Sequence, residues 1–74
     1  MDRRLVNIEA FLEVVSAGSF SGAARKLKTS KSVISRRVSE LEEALGTQLI
    51  LRTTRRMNLT EEGEIYAQKV SAIT

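Results

Sequence analysis

Apolar positions recur along the first two thirds of the chain in steps of three and four. Leu5, Ile8, Leu12 and Val15, with Phe11 beside them, mark one face of a first helix. Gly18 is placed to end it in a left-handed conformation. Phe20, Ala23, Ala24 and Leu27 repeat the spacing in a second helix, whose start Ser19 or Ser21 can cap. At about two turns, that helix is too short to stand without tertiary support. Only Thr29 and Ser30 separate it from a third series, Ile34, Val38, Leu41 and Leu45, which Gly46 closes.

The period then changes. Leu49, Ile50 and Leu51 form a short apolar run, Thr53 to Arg56 a polar link, and Met57 and Leu59 alternate around Asn58. This pattern predicts a small β-hairpin with a projecting loop, because the Asn-Gly or Asp-Gly pair of a tight turn is missing. Thr60 is positioned to cap a fourth helix, with Glu61 and Glu62 at its positive pole. Gly63 in the first turn costs up to about 1 kcal/mol relative to alanine; a close approach by another backbone would explain it. Ile65, Tyr66, Val70 and Ile73 carry the helical pattern to the last residue with no stop signal, which predicts that the helix continues in a longer protein.

The expected fold is therefore mainly α: a winged helix-turn-helix with a three-helix core, a small hairpin wing and a C-terminal linker helix. Residues 1–59 would form one folded unit and residues 60–74 the start of a further helix.

At 74 residues the chain is one small domain with a thin stability margin. It has no Cys and no His, so disulfides, thiolate metal sites and the commonest general base are missing. Neither a metal nor a cofactor is expected. Association into a dimer is the remaining way to gain buried area. No apolar run approaches a membrane span, and the N-terminus lacks the apolar stretch of a signal peptide, so a cytoplasmic location and no membrane partner are expected.

The net charge of +3 says little, but its distribution says more. Arg25, Lys26, Lys28, Lys31, Arg36 and Arg37 share a window with no acid, and Arg52, Arg55 and Arg56 share another. The acids gather elsewhere, at Glu40, Glu42 and Glu43 and at Glu61, Glu62 and Glu64. This segregation suits a polyanion, although ordinary solvated helix faces would also carry such charges.

The element order brings the charges to one place. Two helices joined by so short a turn cross steeply and present the third helix, whose first turns can reach base edges in a major groove. Opposite the core stripe of that helix lie Ser32, Arg36, Ser39 and Glu43, flanked by Val33 and Ser35. Small hydroxyls let a helix sink into a groove about 12 Å wide, Arg36 suits guanine or phosphate, and Val33 can meet a thymine methyl. Lys31 lies at the first turn, where it can still point outward. Arg55 and Arg56 near the hairpin tip would enter a minor groove, lie along phosphates or remain solvated. Arg52 would meet phosphate or pair with an acid. Ser21 and Ser30 can add hydroxyls to phosphate-binding helix N-termini, unless Ser30 is occupied in capping its own helix.

The stretch GSFSGAARKLKTSKSVISRRVSELEEALGTQLILRTTRRMNLTEEG carries five ordered motifs: SF-x-x-AA-x-x-L, S-x-S-x-x-S-R, LE-x-x-LG, L-x-x-RT and LTE-x-G. It resembles the LysR-type transcription regulators. The resemblance implies sequence-specific binding to partly palindromic operator DNA by a homodimer, paired through the fourth helix, within a higher homo-oligomer of the full-length protein. It places readout on Lys31, Ser32, Ser35, Arg36 and Arg55, four of which the helical geometry and the hairpin reading also reach. Position 31 is usually Gln in the family, so Lys31 shifts the expected preference towards guanine or phosphate. Position 50 is usually Phe and here is Ile, a packing change. The family's effector-binding domain has no counterpart in these residues, and a small-molecule effector is expected to act only through it.

Dimerisation is expected to use Ile65, Tyr66, Val70 and Ile73, which can alternatively pack on the first helix within one chain. Two other classes compete with DNA binding. A winged-helix protein–protein module would mix acids into the outer face of the third helix, and that face is acid-free before Glu40. An enzyme needs a nucleophile–base pair or metal cluster, and no recognisable pair exists among the available side chains.

Overall fold

The computed structural model describes residues 3–51 and 58–73. Helix α1 (Arg3–Ala17) is followed by α2 (Phe20–Lys26), α3 (Lys31–Leu45), strands β1 (Ile50–Leu51) and β2 (Asn58–Leu59), and α4 (Glu61–Ile73). The strands pair antiparallel, Ile50 with Leu59 and Leu51 with Asn58. This is the winged helix-turn-helix order that the periodicity predicts. Met57 and the Thr53–Arg56 link lie outside the described residues.

The core forms where α1, α2 and α3 meet. Phe11, Val14, Ile34, Val38, Leu41, Leu49 and Ile50 are its large, fully buried side chains. Ala23 and Ala24 are buried too, and their small size lets α2 lie close on its neighbours. In α1 the innermost positions are Asn7, Ala10, Phe11 and Val14. The expected stripe is displaced: Ile8, Leu12 and Val15 pack at the margin of the core, and Leu5 is 64% exposed. The reason is that α1 packs against α2, α3 and α4. Its apolar arc is wide, and the neighbours, rather than the periodicity, decide which part lies deepest. Leu45, at the end of the third stripe, is likewise exposed.

The helix ends follow local chemistry. Ser19 caps α2, its hydroxyl accepting from Gly22 N at 3.0 Å. Gly18 (φ 77°) and Gly46 (φ 70°) close α1 and α3 in the left-handed region. Thr60 caps α4, accepting from Gly63 N at 2.9 Å. No helix among the described residues is long and apolar enough to cross a membrane.

Candidate nucleic-acid interface

The turn between α2 and α3 sets how the third helix is presented. Leu27 ends α2, and Lys28 adopts a left-handed backbone (φ 56°), the one non-glycine residue to do so among those described. Lys28 N donates to Arg25 O at 3.3 Å and Thr29 N to Ala24 O at 2.9 Å. These two bonds with a left-handed residue between them form a Schellman closure, a position that usually takes glycine. A lysine held there places a cation inside the turn.

Ser30 then starts α3 in extended conformation (φ −96°, ψ 157°), and its hydroxyl accepts from Val33 N at 3.2 Å. That bond occupies the Ser30 oxygen in capping its own helix. The first turn of α3 contains no acid, so its unpaired amides and positive dipole end face solvent together with neighbouring cations.

Ile34, Val38 and Leu41 anchor α3 in the core. Lys31, Ser32 and Arg36 are exposed, and Val33, Ser35, Arg37 and Ser39 are half-buried. Arg25, Lys26 and Lys28 are exposed on the preceding elements, as is Ser21 on α2. The open side of α3 thus carries long cations and short hydroxyls at the end nearest the cationic turn. Arg52, Arg55 and Arg56 lie outside the described residues.

Two acids in the later half of α3 take structural partners. Glu40 Oε1 accepts from the buried Asn7 Nδ2 at 3.4 Å, linking α3 to α1. Glu42 Oε2 accepts from Leu49 N at 2.8 Å and Ile50 N at 3.1 Å, where the chain enters β1. By sequence, acids in the later half of a helix oppose its dipole at a small cost and hold that end away from a polyanion. The chain reversal at Gly46 is what brings the strand amides to Glu42, and the sequence signals the reversal through Gly46 but not the partners of Glu42.

On α4, Ile65 is 49% exposed, Tyr66 and Val70 are half-buried, and Ile73 ends the helix. Tyr66 meets Phe11 of the same chain, with ring centroids 5.9 Å apart and planes tilted by 53°. Burial raises the Tyr66 phenol above its usual pKa near 10, against a smaller lowering by Arg4. No cluster of three or more metal-ligating side chains occurs among the described residues.

The family model for bacterial regulatory helix-turn-helix proteins of the lysR family matches residues 5–64. The chain is 47% identical over 66 residues to the HTH-type transcriptional regulator CrgA of Neisseria meningitidis, covering 89% of this chain and 22% of that protein. It is 49% identical over 65 residues to the HTH-type transcriptional activator AaeR of Escherichia coli, covering 88% and 21% respectively. The chain therefore spans about a fifth of the length of these curated relatives. Among solved structures, the complex of BenM DBD with catB site 1 DNA superposes with a TM-score of 0.88 at 36% identity, covering 99% of this chain and 76% of that one.

Proposed function

The chain belongs to the lysR family of bacterial regulatory helix-turn-helix proteins, and from that premise we propose how it engages double-stranded operator DNA. The first turns of α3 enter the major groove. Lys31, Ser32, Val33, Ser35 and Arg36 meet base edges there, while Arg55 and Arg56, with Arg52 behind them, serve the wing at the flanking minor groove. Phosphates are held by the amides at the starts of α2 and α3, by the Ser21 hydroxyl and, more weakly, by Ser30, whose oxygen already caps α3.

The observation that carries this reading is the sidedness of α3. Ile34, Val38 and Leu41 are sealed in the core while Lys31, Ser32 and Arg36 stand in solvent beside the exposed Arg25, Lys26 and Lys28. Similarity to BenM DBD, whose structure was solved with catB site 1 DNA, supports duplex DNA as the partner.

Residues 1–59 act as the reading unit, and residues 60–74 begin a helix that pairs two subunits through Ile65, Tyr66, Val70 and Ile73. The pair sets two reading helices on successive major grooves of one duplex face. The protein works in the bacterial cytoplasm as part of a larger homo-oligomeric regulator, and any small-molecule effector acts through a domain beyond these residues.

The test is duplex binding across a salt series. Operator-type duplexes, selected from a random pool by the protein itself, should be retained with log K falling by about 0.9 per neutralised phosphate as log salt rises. Arg36→Ala should weaken the selected site by about 1–3 kcal/mol and relax the preference at one base pair. Failure to retain any duplex at low salt overturns the reading, and unchanged affinity in Arg36→Ala removes that residue from it.

A further inference from the structure

The segment Gln48–Ile50 is gripped from two sides. From α3, the Glu42 carboxylate takes the amides of Leu49 (2.8 Å) and Ile50 (3.1 Å). From the start of α4, Thr60 N donates to Leu49 O at 2.9 Å, and the Thr60 hydroxyl donates to Gln48 O at 2.6 Å. Gly63 lies against the same carbonyl: a Cβ there would overlap Leu49 O and stand 2.9 Å from its carbonyl carbon. The Leu49 side chain is wholly buried. Both polar backbone groups of Leu49 are thus committed, one to α3 and the other to α4.

This arrangement gives α3 and α4 a short rigid connection. Among the described residues, α4 rests on α1 and β2, and at its first turn the hydrogen-bonded link to α3 runs through Leu49. Charge-assisted bonds such as the pair at Glu42 are shorter and stronger than neutral ones, which suits a fixed joint.

We propose that Glu42, acting through Leu49 on Thr60 and Gly63, is a positioning residue that sets the angle between the DNA-reading helix and the pairing helix, and so the half-site spacing the dimer accepts. The proposal rests on the assignment of α3 to DNA and α4 to subunit pairing made above. In a symmetric pair, the separation of the two reading helices follows from how each is held relative to the pairing helix. A loose joint admits several spacings and a stiff one selects among them. A purely stabilising contact would change melting temperature without changing spacing preference.

The absence of cysteine from the sequence allows a direct measurement. Nitroxide labels are placed on the exposed positions of Glu43→Cys in α3 and Gln68→Cys in α4, and the distance distribution is read by double electron–electron resonance. Glu42→Ala should at least double the width of the parent distribution, and Glu42→Gln, which keeps an acceptor oxygen, should restore at least half of the sharpness. Thr60→Val, which removes both the link to Gln48 O and the cap on Gly63 N, serves as the second variant if circular dichroism shows Glu42→Ala unfolded.

In parallel, selected duplexes whose half-site separation is varied one base pair at a time are bound by parent and variants. The parent should prefer one separation at least tenfold over its neighbours, and the variants should lose most of that preference while binding a single half-site within about twofold of the parent. An unchanged distance width in a folded variant overturns the joint, whatever the DNA result. An unchanged spacing preference overturns its role in site selection. A parent that binds no duplex overturns the DNA reading and the spacing claim with it, but leaves the distance measurement to judge the joint separately.

Discussion

Gly63 and Leu49 meet backbone to backbone, with the α4 glycine seated against the carbonyl group of the residue that leads into β1. A methyl group at position 63 would overlap the Leu49 oxygen, which is fixed by Thr60 N at 2.9 Å and cannot simply swing away. Glycine's cost inside a helix is up to about 1 kcal/mol relative to alanine. Overpacking against backbone costs about 1–3 kcal/mol and sometimes more, so the clash outweighs the propensity gain. Gly63→Ala should lower stability by about 1–2 kcal/mol in thermal or urea denaturation. A stability gain, as expected at an unhindered helical glycine, would contradict the close approach.

The contact between Tyr66 and Phe11 carries a pH signature. Burial raises the phenol pKa, with Arg4 only partly opposing. The folded state therefore holds the proton more tightly than the unfolded chain. The stabilisation is fully present below the unfolded value near 10 and is lost as pH rises through the higher folded value. Alkaline melting curves should show the parent losing more stability as pH rises above about 10 than Tyr66→Phe, which keeps the ring contact and cannot ionise. Parallel decline of the two proteins on the alkaline side would show that Tyr66 ionisation does not couple to folding.

Ser30 separates helix capping from duplex binding. Its hydroxyl accepts from Val33 N, so Ser30→Ala should destabilise by about 1 kcal/mol, within the range for lost N-caps, or roughly 4–8 °C in a domain of this size. Ser30→Asp keeps an acceptor and adds a negative charge at the positive end of the helix, so its stability should equal or exceed that of the parent. Facing a polyanion, the same charge should weaken duplex binding. Calorimetry and fluorescence anisotropy on the three proteins would show capping preserved in the aspartate variant and lost in the alanine variant, with the larger loss of DNA affinity in the aspartate variant, and undiminished affinity there would place the α3 N-terminus away from phosphate.

How much of this was legible in the sequence varied with the range of the interaction. Ile34, Val38 and Leu41 announced themselves because α3 is apolar on one side only, and its outer face followed by rotation. The α1 face was less legible, since apolar residues spread over a wide arc and only the positions of three neighbours put Phe11 and Val14 innermost, leaving Leu5 outside. Gly63 could be read as needing a close neighbour, but Leu49 could not be named, because the approach depends on how the hairpin returns the chain. The partners of Glu42 are not legible in the sequence, because only the reversal at Gly46 brings two strand amides to its carboxylate. Local capping is legible at Thr60 but not between Ser19 and Ser21, where the choice between two nearby hydroxyls turns on backbone angles that the residue names do not contain.

Lys28 sets folding against binding. Its left-handed backbone (φ 56°) closes α2 through the bonds from Lys28 N to Arg25 O and Thr29 N to Ala24 O. A side chain in this region costs about 1–2 kcal/mol relative to the right-handed conformation, whereas glycine adopts it freely but loses more chain entropy on folding. Lys28→Gly should therefore raise stability by about 0.5–1 kcal/mol, seen as a higher urea midpoint with an unchanged slope. It also removes an exposed cation from the turn beside α3. If that cation neutralises a phosphate, duplex affinity should fall and the log K against log salt slope should shrink by about 0.9. Lys28→Asn gives an independent check, because asparagine tolerates the left-handed region better than lysine and carries no charge: it should match the glycine variant in DNA binding and lie between glycine and the parent in stability. A stabilised Lys28→Gly protein with the parent's salt slope would show that the turn holds its lysine for some purpose other than the duplex.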